Sequence, residues 1–188
     1  KRGHEVAIYS IDRSIDSVVH CDVERFGLLE NTWFLQDFVP AERPEDDQFD
    51  EYRGDWFNDR VHGVAPMAAH MREQGVDLVH GCFANNSSTM AVVTARLAGL
   101  PYTFECHAFD LFCDFKYSDE KLRRAERIFS ISEYNRRYMV DELGCDDEKI
   151  RIRRVPILKE FADEIDAGDR DPGLVVTVAR LTEIKGHD

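Results

Sequence analysis

A histidine at the end of an apolar run, with a carboxylate three residues further on, is the feature of this chain best suited to chemistry. The run is YTFECHAFDLF, Tyr102 to Phe112, in which β-forming residues give way to a polar loop at His107 and Asp110. Open α/β sheets bind ligands outside the carboxyl ends of their strands, so an imidazole placed there can meet a substrate. Phe104, Phe109 and Phe112 are expected to wall the loop with apolar surface around those few polar groups. The plainer reading is structural: the histidine is a satisfied group and Asp110 caps a turn. We expect Asp110 to shape the loop more than to move protons.

Other polar segments follow apolar runs in the same way. His80 to Ser88, Ile131 to Asn135 and Arg180 to Lys185 are the further strand ends, and His80, Asn85, Asp110, Ser132 and Glu133 are the candidate cleft-lining residues. Arg180 and Lys185 form a basic pair that can hold a diphosphate, because arginine presents a planar fork and lysine a point charge. As isolated residues, both read as surface groups. His4, His20, His62, His70 and His187 read as surface or packing residues.

The elements that must position these groups alternate. GHEVAIYS reads as a strand, Ile11 to Pro44 is ambiguous between strand, helix and loop, and Ala41 to Asp50 is an acidic loop. Val61, Val64, Ala65, Ala68 and Met71 recur at helical spacing over Arg60 to Gln74, and Gly75 stops that helix. Val76 to Phe83 is a strand, Asn85 to Ser88 offers N-caps, and a helix over Thr89 to Leu97 ends at Gly99. Tyr102 to Cys106 is the next strand, completing a β-α-β unit. A short charged helix over Asp119 to Glu126, a strand over Arg127 to Ile131, a helix capped by Ser132, and a strand over Lys149 to Val155 follow. Leu174 to Ala179 is then expected to be a fresh buried strand.

This alternation predicts an α/β fold with a Rossmann-like, doubly wound parallel sheet. Three regions are expected: residues 1–156 as the first domain, 157–172 as an acidic linker, and 173–188 as the start of a second Rossmann-like domain.

Composition excludes several classes. The chain has 188 residues, 43% of them hydrophobic, enough for a real core, and its longest apolar runs fall far short of the ~20 residues of a membrane span. A net charge of −13 repels phosphate backbones, so nucleic acid is not an expected partner. The five cysteines include no Cys-x-x-Cys pair and fit a reducing cytoplasm. His80, Cys82, Cys106, His107 and Cys113 are zinc-ligand types, but their spacing matches no finger or ribbon, and no metal is expected. Nucleophile-elbow, Walker and dinucleotide fingerprints are absent.

Five segments in order carry a likeness: RGHEVAIYS from Arg2, HGCFANNSSTMAVVTARLAGLPYTFECHAFDLF from His80, AERIFSISEYNRRYMVDELG from Ala125, KIRIRRVP from Lys149, and VVTVARLTEIKGHD from Val175. Together they resemble the retaining glycosyltransferases of family 4, with the two-domain GT-B fold, and the His80 run is most similar to exopolysaccharide-assembly members. The resemblance implies a first domain that binds a glycan or lipid-linked acceptor and a second that binds a nucleotide-sugar donor, with transfer in the cleft between them and no metal or other cofactor. It places His107 beside the donor sugar and Arg180 and Lys185 on the diphosphate. It also implies a cytoplasmic enzyme of polysaccharide or cell-envelope glycan synthesis, compatible with peripheral association at the inner face of a membrane.

The chain departs from the family at His80-Gly81-Cys82-Phe83, where many members have His-x-His-Phe, and in its linker Pro156 to Phe161. By the same resemblance the glycine-rich first loop and the paired donor-binding glutamates lie outside these residues. The chain therefore reads as a fragment, inactive alone. The alternatives are a GT-B sugar-nucleotide epimerase and a non-enzymatic metal or ligand-binding module.

Overall fold

The computed structural model describes residues 3–13, 21–40, 52, 58–156 and 171–186. The acidic loop 41–50 and most of the expected linker lie outside them. The chain divides into two compact units, Lys1–Arg154 and Val155–Asp188.

The first unit is a mixed α/β structure with parallel sheets of the Rossmann-like kind. Strands β1 (Ile8–Ser10) and β2 (Thr32–Phe34) pair in parallel, Ile8 opposite Thr32, and are joined through helix α1 (Cys21–Arg25). The ambiguous NTWFLQDFVP segment is both things at once: it begins as β2 and tightens into a 3-10 turn over Leu35–Phe38. Helix α2 (Val64–Glu73) is entered through a 3-10 turn over Asn58–Gly63. Its periodic residues Val64, Met67, Ala68 and Met71 are buried. Pro66 is tolerated in its first turn, where backbone N–H groups have no intrahelical acceptor.

The larger sheet is wholly parallel, in the order β3 (Val79–Gly81), β4 (Tyr102–Cys106), β5 (Arg127–Ser130), β6 (Ile150–Ile152). Helix α3 (Asn86–Ala98) crosses from β3 to β4, α4 (Phe109–Phe112) and α5 (Ser118–Arg124) connect β4 to β5, and α6 (Glu133–Asp141) connects β5 to β6. α3 starts earlier than the expected Thr89 because Asn85 caps it, its side chain accepting from Ser87 N–H at 3.4 Å. It ends at Gly99, whose φ of 69° is left-handed and closes the helix.

α3 is the central helix of the unit: every residue from Ser88 to Ala95 is buried. It sits so close to β3 that a Cβ on Gly81 would lie 2.9 Å from Ser88 Cα. Phe104, Cys106, Ile128 and Ser130 point into this core and are fully buried. The opposite face of the sheet carries His80, Glu105, Phe129 and Arg151, of which His80 and Arg151 are exposed. Strands that follow one another in sequence, joined by crossovers of one hand, place their helices on one face. Among the described residues that leaves the other face more open.

The second unit differs from expectation. Leu174 to Ala179 forms no strand, and Val175 and Val178 are 90% and 94% exposed. A strand needs a neighbour for its N–H and C=O groups, and the described residues of this unit supply none. Arg180 is exposed, and Lys185 ends a single 3-10 turn over Glu183–Lys185. No helix among the described residues is long and apolar enough to cross a membrane.

Candidate functional site

Because β3, β4 and β5 are parallel neighbours, their carboxyl ends deliver three loops to one edge of the sheet. His107 is at the centre. Its backbone N–H donates to both carboxylate oxygens of Asp110 at 3.0 Å, and its carbonyl accepts from Asn135 Nδ2 at 3.0 Å. The backbone carrying the imidazole is therefore clamped from both sides, while the side chain is half-buried.

Each clamp has its own support. Asp110 is 3% exposed, and its Oδ2 also accepts from Ala84 N–H at 2.7 Å. One buried carboxylate thus ties the loop after β3 to the loop after β4, satisfied by backbone donors as a buried charge must be. Asn135 is held from the loop after β5. Ser132 Oγ donates to Asn135 Oδ1 at 3.0 Å and accepts from Asn135 N–H at 3.1 Å, which also caps α6.

Lys121 completes the network from beneath. Its side chain is fully buried, and Nζ donates to the carbonyls of Ala84 at 2.6 Å and Asn85 at 3.0 Å. The Ala84 peptide is gripped at both ends, its N–H by Asp110 and its C=O by Lys121. Burial pulls the Lys121 ammonium down to about 7, against the opposing pull of Asp114, Asp110 and Glu120. An amine near neutrality keeps two N–H donors, enough for both carbonyls.

The ring beside His107 comes from Phe83, at 4.8 Å between centroids and 60° between planes. Phe83 has a φ of 67°, costly for a non-glycine residue, and is 45% exposed. Phe104, expected as a wall of this loop, instead faces the core, stacked on Tyr102 with centroids 5.7 Å apart. The parity of the strand decides this, since Phe104 shares a face with buried Cys106. Phe109 is 63% exposed, and Phe112 packs against Tyr134 and Tyr138.

The structure thus brings His107, Asp110, Asn85 and Ser132 into one hydrogen-bonded cluster, with Asn85 and Ser132 occupied as helix caps. Glu133 stands apart, paired with Arg136 at 2.7 Å. His80 lies on the sheet face, its Nδ1 2.9 Å from Thr103 Oγ1. Burial lowers its pKa, opposed by the nearby Glu105 charge. Arg180 and Lys185 belong to the second unit. The five zinc-type ligands of the sequence do not assemble: Cys106 is buried against Met139, its thiol pushed up to about 12 chiefly by burial, and Cys113 is exposed after α4.

Lys121, Asn135 and Phe83 escaped sequence reading. Asn135 had a signal, a polar residue three positions after an N-cap serine, where capping-box side chains sit. Lys121 had none, lying in a helix that reads as charged throughout.

A parallel Rossmann-like sheet with a rigidly held histidine at its strand ends defines a ligand-binding α/β domain of the kind enzymes use. The model of Glycosyltransferase Family 4 matches residues 1–154, and the chain belongs to that glycosyltransferase family. No curated protein matches it.

Proposed function

We propose that this chain is part of a retaining enzyme that transfers a sugar from a nucleotide-sugar donor to a saccharide or lipid-linked acceptor, in the assembly of an exopolysaccharide or cell-envelope glycan at the cytoplasmic side of a membrane. The observation that carries this reading is the double clamp on His107. A side chain that must meet the reacting sugar gains from a backbone fixed before substrate arrives, because the cost of ordering it is met in folding.

In this reading the first unit binds the acceptor. The His107 imidazole faces the donor sugar and stabilises positive charge developing at its anomeric carbon. Asp110, Asn135 and Lys121 position it. Asn85 and Ser132 lie in the loops beside it, Glu133 stays paired with Arg136, and His80 lies further along the sheet. In the second unit, the start of the donor-binding domain, Arg180 and Lys185 take the negative charge gathering on the departing nucleotide diphosphate, electrostatic stabilisation that needs no metal. Belonging to the family supports glycosyl transfer, and these residue roles extend it.

The test uses the full-length protein with a panel of nucleotide sugars and saccharide or lipid-linked acceptors, with products separated and their anomeric configuration read by NMR. A retained glycoside, lost in Arg180→Ala and Lys185→Ala and strongly reduced in His107→Ala, supports the reading. An inverted product, or an isomerised nucleotide sugar with no transfer, overturns it, the second outcome marking an epimerase.

A further inference from the structure

The open face of the sheet carries a second grouping, apart from the His107 cluster. His80 lies in β3 and Cys82 is the first residue after it. Thr103 stands opposite His80 and Phe104 opposite Gly81, and Glu105 is the next residue along β4. A ring nitrogen of His80, the Cys82 Sγ and a carboxylate oxygen of Glu105 lie within 4.8 Å of one another. Among the described residues this is the one grouping of three or more histidine, cysteine or acidic side chains so disposed.

The surroundings suit a metal. Thr103, buried on the neighbouring strand, holds His80 by Nδ1 at 2.9 Å, and Phe129 flanks the ring edge-on at 5.8 Å. Such outer contacts fix the rotation of a ligating imidazole. Among the described residues Glu105 is joined to Arg153 by a loose ion pair at 3.7 Å, the arginine side chain 56% exposed and the glutamate 20%. At that distance, with the arginine largely in solvent, the pair is weak and readily exchanged. Burial and the Glu105 charge raise the Cys82 pKa. A bound cation reverses that balance and takes the thiolate.

We propose that His80, Cys82 and Glu105 form a zinc site with one nitrogen, one sulfur and one oxygen donor, its fourth position open to an outside ligand. Imidazole and thiolate select zinc over magnesium or calcium, and bond lengths of about 2.0–2.3 Å put tetrahedral ligands closer together than the present spacing, a gap that rotation of the exposed Cys82 side chain narrows. Zinc there ties β3 to β4 and masks the Cys82 thiol. The site takes no part in the proposed transfer, and its test does not depend on it.

The experiment is titration of the purified chain with Co²⁺, followed by displacement with Zn²⁺. One equivalent of Co²⁺ is expected to give a thiolate charge-transfer band with tetrahedral visible bands, both abolished by Zn²⁺. Cys82→Ser removes the charge-transfer band. Glu105→Gln, which preserves shape, weakens Zn²⁺ binding by at least about tenfold. Arg153→Ala, which removes the competing cation, tightens it. Circular dichroism of each variant establishes that it is folded. The proposal is overturned by absence of binding, by a charge-transfer band that survives Cys82→Ser, or by unchanged Zn²⁺ affinity in Glu105→Gln.

Discussion

Replacing Lys121 by Met tests the hidden support of the site, and pH separates the two things that lysine does. The side chain is fully buried, with its pKa brought from 10.5 to about 7. Between those values the unfolded chain holds a proton that the folded chain has released, so stability rises with pH across this window. The whole gap corresponds to about 5 kcal/mol, imposed in full below the folded value and relieved completely only above the unfolded one. From about pH 7 to about pH 9 the relief is about 2 kcal/mol. Methionine fills similar volume and does not titrate, but it leaves the Ala84 carbonyl without its Nζ donor, at about 1–3 kcal/mol where it stays dry, while the Asn85 carbonyl still accepts from Thr89 N–H at 3.1 Å. The difference in unfolding free energy between wild type and Lys121→Met should therefore grow by about 2 kcal/mol between those two pH values, with the variant falling further behind. Urea unfolding followed by circular dichroism measures it, and other titrating groups, such as the buried Cys106 thiol, cancel in the difference. A difference that stays constant across the range would falsify the assignment of a near-neutral lysine.

In the full-length enzyme, His107→Ala should reduce turnover more than Asp110→Asn, measured as initial transfer rates; the reverse order would assign proton transfer to Asp110. Asp110→Asn should nonetheless lower stability by about 1–3 kcal/mol, since an NH2 group would replace one of the two oxygens that accept from the His107 N–H, setting donor against donor, and the charge that strengthens these bonds is lost. Ser132→Ala removes the α6 cap and should cost about 1 kcal/mol in urea unfolding. Gly81→Ala drives a methyl group against Ser88 and should destabilise by about 1–3 kcal/mol, with hydrogen exchange quickening first in β3 and α3.

Much of this site was legible in one dimension because its determinants are local. Apolar periodicity over Val61 to Met71, the stops at Gly75 and Gly99, the Ser132 cap and the strand at Tyr102 to Cys106 each depend on residues within a turn or two, and each appears in the structure. The alternation of such elements was enough to require a parallel α/β sheet and to put His107 at a strand end. The Leu174 to Ala179 segment marks the boundary of that method: its composition reads as a buried strand, but burial and pairing are supplied by neighbours, and none of the described residues of its unit provides them.

His107, where the chain first offered chemistry, follows the same division. Its place after a strand, and the carboxylate three residues on, were set by sequence. That its N–H meets Asp110 and its C=O meets Asn135, that Phe83 supplies the ring beside it, and that a lysine from a charged helix lies buried beneath were decided by three parallel strands ending side by side. Residues from 83 to 135 become neighbours only when the sheet closes the distance between them, and no local pattern records which side chain a neighbouring strand will bring.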